Sequence, residues 1–365
     1  MSDPTAVQPA RPHDLLAEGA RARKLSADVE GIKSLVEGTR LVNDSVLVHV
    51  LFSLWDCGFY EYSLTHPWFD SAQVAQELGL SAALLKHLLD YLVGRGIVQT
   101  SDGKFGLTDR GARLSNVLLR GTMDLYVGGY GPLLSNIAPL LRNEISLSDF
   151  KNLRSGRHTV RGTEQLICVR TVPAVSKVMA QKKLRGVLNL ATRTGEFLIE
   201  LARSDSNVHG IGIDKAADRI DKARAHAAEQ GVGERVAFVR SEIGREPLPL
   251  DGAAVAQIDS VVALYFLHEV ARHGRRKVVD LVRQLKAILP GRLFLFLETL
   301  PMSAAPPAKK PPVTFSQLDY LLIHHLRDQG LPLPADDWKS ILAEAGANII
   351  EVQELYLNAL YIAEL

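Results

Sequence analysis

The stretch that decides the fold is Val187–Phe197, which reads VLNLATRTGEF. Its first four residues form a short, mostly apolar run typical of a buried strand, a polar loop follows, and a helix begins at Glu196. Open α/β sheets bind their ligands at loops of this kind, outside the carboxyl ends of the strands. The stretch therefore predicts an α/β domain with a ligand site after its first strand.

Strands and helices alternate along the chain after this stretch. The predicted strands are Val187–Leu190, Val208–Ile213, Val236–Val239, Ser260–Ala263 and Leu293–Leu297. The predicted helices are Glu196–Arg203, Ala216–Gln230, Arg275–Leu289, Phe315–Arg327 and Ala335–Ala345. This alternation predicts a parallel sheet with helices on both faces. Two late strands lie close together and predict an antiparallel pair at one sheet edge, namely Ile349–Leu355 and Leu360–Ala363.

The N-terminal part predicts a different, mostly helical unit. Its apolar content indicates a buried helix at Val46–Phe59, and a helix at Ala82–Arg95 follows the capping residue Ser81. A small hairpin turns at Ser101–Gly103. Helix, turn, helix and hairpin make a winged-helix pattern, which raises the alternative of a transcription regulator. The second helix carries few basic residues, so a protein–protein role is favoured over a DNA groove.

Composition limits the function classes. The 365 residues are 47% hydrophobic and 23% charged, with a formal net charge of +1. This balance predicts a soluble globular protein without a global field for a polyanion, and no apolar run is long enough to span a membrane. The two cysteines, Cys57 and Cys168, predict reduced thiols in a cytoplasmic protein. No spacing of histidine or cysteine predicts a metal site.

Four polar residues follow the predicted strands, at the edge where such sheets bind ligands. Asp214 closes the second strand, and an acid there accepts from the hydroxyls of a ribose. Glu242 follows the third strand and is a candidate acceptor from an adenine or ribose. His268 follows the fourth strand, and Glu298 closes the fifth.

The order of these elements resembles the small-molecule O-methyltransferases that use S-adenosylmethionine (SAM), which include caffeate and hydroxyindole types. Their Leu-His-Asp signature corresponds here to Leu267–Glu269, and their strand-five glutamate corresponds to Glu298. Their late helices match at Asp319 and Trp338, and Ala343–Gly346 matches the segment before the final strands. The resemblance covers nearly the whole chain after the N-terminal tail.

The resemblance implies a domain plan. It comprises a disordered tail at 1–13, a winged-helix dimerisation domain at 14–121, a helical connector at 122–184 that contributes to the substrate pocket, and a Rossmann-like methyltransferase domain at 185–365. It also implies a homodimer with a small-molecule acceptor and no nucleic-acid or membrane partner.

The resemblance also implies catalytic roles. His268 would be the general base that takes the proton of the acceptor hydroxyl, since its ordinary pKa suits neutral pH. Glu298 would hold its ring in one tautomer. The alternatives are a pocket histidine that moves no proton and a carboxylate that caps a loop.

The resemblance places SAM at Ala191, Arg193, Gly195, Asp214 and Glu242. The family's first motif has glycines at alternate positions, but alanine and arginine stand at the first two of them here. Glycine permits a positive φ there, so an arginine is expected to strain the turn by roughly 1–2 kcal/mol. Either its side chain turns away or pairs with the cofactor carboxylate, or the pocket no longer holds SAM.

The departure of the loop from the family motif leaves several functions open. The first is a SAM-dependent methyltransferase acting on a hydroxyl of a small aromatic secondary metabolite. The second is a related biosynthetic enzyme that no longer methylates, and the third is a cofactor-free partner subunit. Further candidates for the acceptor pocket are Tyr320, Phe266, Phe197 and one of the neighbouring pair His324 and His325, of which only one can face inward on a helix.

Overall fold

The computed structural model describes residues 29–244, 247–301, 315–355 and 357–365. These form two compact units, Met1–Asn116 and Val117–Leu365. The predicted tail at 1–13 lies outside the described residues. The proline-rich stretch Pro301–Pro312 is predicted to be a flexible surface loop, and all of it except Pro301 also lies outside the described residues. The predicted boundary after Gly121 lies inside a helix, Val117–Met123, and the units divide before that helix.

The first unit is mostly helical. Its elements are α1 (Val29–Asp56), α2 (Phe59–Thr65), α3 (Ser71–Leu78), α4 (Ala82–Gly94), β1 (Val98–Ser101), β2 (Lys104–Leu107) and α5 (Asp109–Leu114). The predicted single helix Val46–Phe59 is wrong, because α1 begins at Val29 and ends at Asp56. Gly58 adopts a left-handed φ of 80° there and separates α1 from α2.

The predicted sequence of helix, turn, helix and hairpin is present in this unit. Gly79 ends α3 in the left-handed conformation with φ 66°, and the Ser81 side chain accepts from the backbone of Leu84 at the start of α4. β1 and β2 pair antiparallel through the turn at Asp102 and Gly103. Local turn and cap chemistry therefore defines this part of the chain.

The second unit begins with a helical segment. Its elements are α6 (Val117–Met123), a π-helical turn (Asp124–Gly129), α7 (Gly131–Leu134), α8 (Ile137–Leu141), α9 (Leu147–Asn152) and the long helix α10 (Gly156–Lys182). Arg161 of α10 forms an ion pair with the buried Asp124, and α6 packs against α10 where Gly121 meets Gly162. Short turns are thus held against one long helix.

A seven-stranded sheet follows. Its elements are β3 (Gly186–Leu190), α11 (Glu196–Ser204), β4 (His209–Asp214), α12 (Ala217–Glu229), β5 (Val236–Arg240), α13 (Gly252–Gln257), β6 (Ser260–Leu264), α14 (Leu267–Ala271), α15 (Arg275–Ile288), β7 (Leu293–Thr299), α16 (Phe315–Arg327), α17 (Ala335–Glu344), β8 (Asn348–Leu355) and β9 (Asn358–Glu364). The strand order is β5-β4-β3-β6-β7-β9-β8.

The sheet confirms the predicted α/β class. The first five strands pair in parallel, and β9 and β8 form the predicted antiparallel pair at one edge. Because the strand order reverses between β3 and β6, the loops after these two strands open a crevice at the carboxyl edge. Two apolar cores, one on each face, hold the strands rigidly beneath that crevice. Within the described residues, no helix has both the length and the apolar character to cross a bilayer.

Candidate active site

His268 and Glu298 lie together at the carboxyl edge of the sheet. Glu298 is near the end of β7, and His268 is on α14, the short helix after β6. His268 Nδ1 lies 2.6 Å from Glu298 Oε2, and the side chains are 2% and 1% exposed. Because both strands are fixed by the core, the pair is set by the sheet rather than by a mobile loop.

Glu298 is also tied to the backbone of α14. Its Oε1 accepts from the backbone N–H groups of Phe266, Leu267 and His268 at 3.1, 2.7 and 3.3 Å. These are the unpaired donors at the start of a helix, and a carboxylate satisfies them well. One side chain therefore fixes both the imidazole and the helix that carries it.

The hydrogen bond to Glu298 decides the form of the imidazole. A carboxylate is an acceptor, so Nδ1 carries the proton and Nε2 of the neutral ring has a free lone pair. Nε2 is buried and has no hydrogen-bond partner among the described residues. Burial lowers the pKa of His268, but the charge and hydrogen bond of Glu298 outweigh burial and raise it above its usual value. The ring is therefore a base with an unused acceptor atom.

Helix α16 covers this imidazole with two aromatic side chains. The His324 ring lies 5.3 Å from the His268 ring, and the Tyr320 ring stacks on His324 at 3.7 Å. Burial and the nearby His268 lower the pKa of His324 to about 3, so His324 stays neutral. His324 is buried and His325 is exposed. One of the two histidines therefore faces inward, as the helical spacing predicts.

The loop after β3 keeps the backbone of a glycine loop, although alanine and arginine replace two of its glycines. Ala191, Arg193 and Gly195 have φ values of 52°, 56° and 83°, all left-handed. A β-carbon at Gly195 would lie 2.6 Å from the Phe238 ring, so only glycine fits there. The two other residues each carry a strain of about 1–2 kcal/mol. Strained residues of this kind concentrate at functional sites.

Asp214 closes β4 beside this loop and is 4% exposed. Its Oδ2 accepts from the backbone of Arg193 at 3.0 Å, and its Oδ1 accepts from Ala216 at 3.0 Å. Each carboxylate oxygen keeps a further lone pair for a hydroxyl group. Glu242 follows β5 and is half-buried. The backbone N–H of its neighbour Ser241 donates to the Asp214 carbonyl at 3.1 Å, which joins the ends of β4 and β5.

The Arg193 side chain lies across the crevice. Its Nη2 approaches the carbonyl oxygen of Leu264, the last residue of β6, at 3.4 Å. The cavity between this side chain and the loop has a volume of about 10 Å³, room for about one water molecule. On the outer side, Glu164 of α10 accepts from the backbone and hydroxyl of Thr194.

The backbone and carboxylates still fit a nucleoside-type donor. Asp214 keeps a buried carboxylate at the end of β4, and the Leu264 carbonyl is an acceptor for a ligand ammonium. The Arg193 guanidinium lies on the Leu264 carbonyl, and long side chains change rotamer within nanoseconds. The site therefore fits SAM when the guanidinium leaves the Leu264 carbonyl.

The sequence did not single out several residues of this region. The Leu264 carbonyl is a backbone group without a sequence signal. Glu164 lies on a long helix far from the loop in sequence, and Tyr265, after β6, has an unexpected left-handed φ of 51°. Phe197 is 4% exposed in the core of the sheet, so it has the structural role that large apolar residues usually have.

Comparison with known proteins agrees with this geometry. Residues 181–286 match a family model described as a methyltransferase domain. A curated relative, the release factor glutamine methyltransferase of Agrobacterium fabrum, is 31% identical over 70 residues, which are 19% of this chain and 24% of the relative. The match thus spans about a quarter of that relative's length.

Solved structures match over most of the chain. Human N-acetylserotonin methyltransferase in complex with SAM aligns with a TM-score of 0.64 and 17% identity, over 90% of this chain and 97% of that one. The mitomycin 7-O-methyltransferase aligns with a TM-score of 0.61 and 12% identity, over 91% and 99%. A riboflavin-derivative dimethyltransferase from Streptomyces davawensis aligns with a TM-score of 0.58 and 17% identity, over 90% and 98%. The chain therefore contains a methyltransferase domain and has the fold of these small-molecule methyltransferases, which confirms the predicted resemblance.

Proposed function

We propose that this protein is a SAM-dependent methyltransferase of the cytoplasm that acts on a hydroxyl group of a small aromatic molecule. The observation that carries the proposal is the buried His268, whose Nδ1 is fixed by Glu298 and whose Nε2 is free. A base with these properties follows β6, one strand away from the loop after β3 and two strands away from Asp214 on β4, where a nucleoside-type donor fits. Metal ions have no role in this scheme.

The donor supplies an electrophilic methyl group when it is bound. Among the residues of this chain, Asp214 would accept from ribose hydroxyls, Glu242 would accept from the adenosine, and the Leu264 carbonyl would accept from the ammonium group. The loop containing Ala191, Arg193 and Gly195 would lie beneath the amino-acid part. Arg193 must first release the Leu264 carbonyl before the donor's ammonium group can bind there.

His268 would act on the acceptor. Its Nε2 takes the proton of the acceptor hydroxyl as the new O–C bond forms, and Nδ1 keeps its proton on Glu298. The resulting imidazolium lies against a carboxylate in a site with little water, where the opposite charges attract strongly. The neutral rings of Tyr320 and His324 exclude water from the same atom and do not compete for the proton.

The first unit would form a winged-helix dimerisation domain. Helix α1 exposes several large apolar side chains along one face, namely Ile32, Leu35, Val36, Val42 and Val46. Such a stripe is typical of a face covered by another polypeptide. The basic side chains Lys86 and Arg95 near α4 form ion pairs with Asp90 and Asp44, which supports a protein partner rather than DNA.

A second candidate is a methyltransferase-fold protein that no longer methylates. The observation that favours it is the Arg193 guanidinium, which occupies the Leu264 carbonyl and leaves a cavity of only about 10 Å³. In that case the protein would be a non-methylating biosynthetic enzyme or a cofactor-free partner subunit.

Calorimetric titration separates the two candidates. We expect SAM and S-adenosylhomocysteine (SAH) to bind with micromolar dissociation constants, and Asp214→Asn to weaken both about tenfold or more because ribose contacts are lost. Asp218→Asn, on an exposed carboxylate of α12, is the matched control and should bind normally. Absence of binding by the wild type would reject the methyltransferase proposal and leave the second candidate.

A further inference from the structure

A group of arginines near the proposed acceptor side has no role in the scheme above. Arg154 follows α9, and Arg327 ends α16. Among the described residues, Arg154 makes no hydrogen bond or ion pair, and Arg327 has no carboxylate partner. Burial lowers the pKa of Arg154, and repulsion from Arg327 and Arg219 lowers it further. The neighbouring Ser155 N donates to the Gly129 carbonyl at 3.1 Å, which places Arg154 beside the turn before Tyr130, the residue that Arg327 contacts.

Arg327 is held in place by its neighbours. Its guanidinium lies 5.6 Å from the centre of the Tyr130 ring, its Nη1 lies 3.5 Å from the Tyr130 hydroxyl, and Nη1 also donates to Gln329. Its Nε is buried and has no acceptor. A fixed cation with an unused N–H group is prepared to meet an anion, because little side-chain entropy remains to be lost.

The described carboxylates of this region do not contact Arg154 or Arg327, although the exposed Asp319 raises the pKa of the nearby Tyr126 through its charge. Glu269 accepts from the Gln329 side chain at 3.2 Å, and Asp328 pairs with Lys151 at 3.5 Å. Arg219 pairs with Asp214 at 3.7 Å. Arg154 and Arg327 therefore retain positive charge that no described side chain neutralises by direct contact.

Arg327 lies one helical turn from His324, whose ring covers the proposed base. His324 and Arg327 are three residues apart on α16 and therefore lie on the same face of the helix. The His324 ring is 5.3 Å from the His268 ring, and Glu269 follows His268 in the chain. A single small molecule can therefore reach both His268 and Arg327.

The surroundings of the arginines are aromatic and apolar. Tyr126 and Tyr130 from the π-helical turn meet edge to face at 6.1 Å, and they pack with Ile323 of α16 in one cluster. Burial raises the pKa of Tyr126, so its phenol stays neutral. Aromatic walls beside a cationic end are suited to a flat molecule with one anionic substituent.

We propose that the acceptor is an aromatic hydroxy acid whose carboxylate binds Arg154 and Arg327 while its hydroxyl group faces His268. This inference rests on the proposed function, because it names the substrate class of the same site. The paired guanidinium groups would supply charge-assisted hydrogen bonds to the carboxylate. They would also set the distance between the carboxylate and the methylated oxygen.

The test compares an acid with its uncharged counterpart. Calorimetry with 1-hydroxy-2-naphthoate and 1-hydroxy-2-naphthamide, each with SAH present, should give at least tenfold tighter binding of the acid by the wild-type protein. Arg154→Gln should remove most of this preference, because a charge-assisted contact contributes roughly 10- to 100-fold in affinity. Arg276→Gln, an exposed arginine of α15, is the control and should keep the preference.

Two further readouts separate a binding role from a structural one. Arg154→Gln removes no partner and relieves repulsion, so its melting temperature should not fall below that of the wild type. Arg154→Lys keeps the charge and should recover part of the preference for the acid. Arg327→Gln should also lose the preference for the acid. Because Arg327 stacks on Tyr130, this variant should in addition be less stable than the wild type.

The outcomes distinguish this inference from the proposed function. The hydroxy-acid inference is overturned if the protein binds SAH but binds the acid and the amide equally, or binds neither compound. The methyltransferase proposal stands in both cases. If the protein prefers the acid in an Arg154-dependent way but does not bind SAH, the anion site stands and the methyltransferase proposal fails.

Discussion

Two halves of the same crevice have diverged from the family pattern to different degrees. The His268–Glu298 pair keeps its side chains and lies in a geometry ready for proton transfer. The loop from Ala191 to Gly195 has lost two glycines, yet its backbone keeps the left-handed turns that glycine would favour. The base depends on its side chains, so replacing them would destroy it. The loop binds through its backbone, so it tolerates new side chains, at the cost of backbone strain and of lost space in the crevice.

The largest expected effect is at the His268–Glu298 half of the comparison. His268→Ala should reduce the methyl-transfer rate by roughly 10² or more, because the acceptor then loses its proton to water. The measurement is transfer of labelled methyl from SAM to a panel of hydroxylated aromatic acids. SAH affinity should stay unchanged, and His325→Ala, the exposed neighbour of His324, serves as the control. A rate within threefold of the wild type would remove His268 from the mechanism.

A smaller effect is expected for Glu298→Gln, roughly 10- to 100-fold on the rate. The glutamine oxygen can still accept from the start of α14, but the tautomer of His268 is no longer fixed. The negative charge of Glu298 raises the pKa of His268. A base must be unprotonated, so activity falls as the pH drops through that pKa.

The pH profile gives the sign of this effect. Loss of the negative charge lowers the pKa of His268, so the acid limb of the rate profile should move to lower pH in Glu298→Gln. An acid limb that stays in place, or moves upward, would show that Glu298 does not control the protonation of His268.

At the altered half, Arg193→Gly should strengthen SAH binding by about tenfold. The guanidinium would no longer occupy the Leu264 carbonyl, and the ligand would not have to displace it. Calorimetry measures the change. The control is Arg203→Gln on α11, because a glycine at position 203 would weaken that helix. If Arg193→Gly binds SAH more weakly than the wild type, then the guanidinium is itself a ligand contact.

The smallest effect is expected for Ala191→Gly. Glycine removes the left-handed strain at this position, so the free energy of unfolding should rise by about 1 kcal/mol, with little change in SAH affinity. Denaturant unfolding measures the difference. A loss of stability would mean that the alanine methyl group packs well enough to outweigh the strain.

Sequence reasoning captured the parts of the fold that periodicity controls. The parallel strands, the antiparallel pair at the edge and the helix Phe315–Arg327 lie where the pattern places them. The pairing of His268 with Glu298 followed from the family resemblance, which places them after neighbouring strands. The length of α1 did not follow, because several of its apolar residues between 32 and 46 are exposed and the polar residues between them weaken the pattern.

The direction of single side chains could not be predicted. Whether Arg193 points outward or across the crevice depends on its left-handed backbone and on the Leu264 carbonyl, and sequence shows neither. The bond from Thr194 to Glu164 joins residues 30 positions apart, which no local pattern reveals. The Arg154–Arg327 pair likewise depends on how the turns before α10 pack against α16.

The central claim is that the altered loop still holds the methyl donor beside a working base. A crystal structure grown with saturating SAH tests it most directly. We expect a ribose on Asp214 and the ligand ammonium on the Leu264 carbonyl, with the Arg193 guanidinium displaced from that oxygen. A crevice that remains empty, with Arg193 still on the Leu264 carbonyl, would show that the loop does not hold the donor.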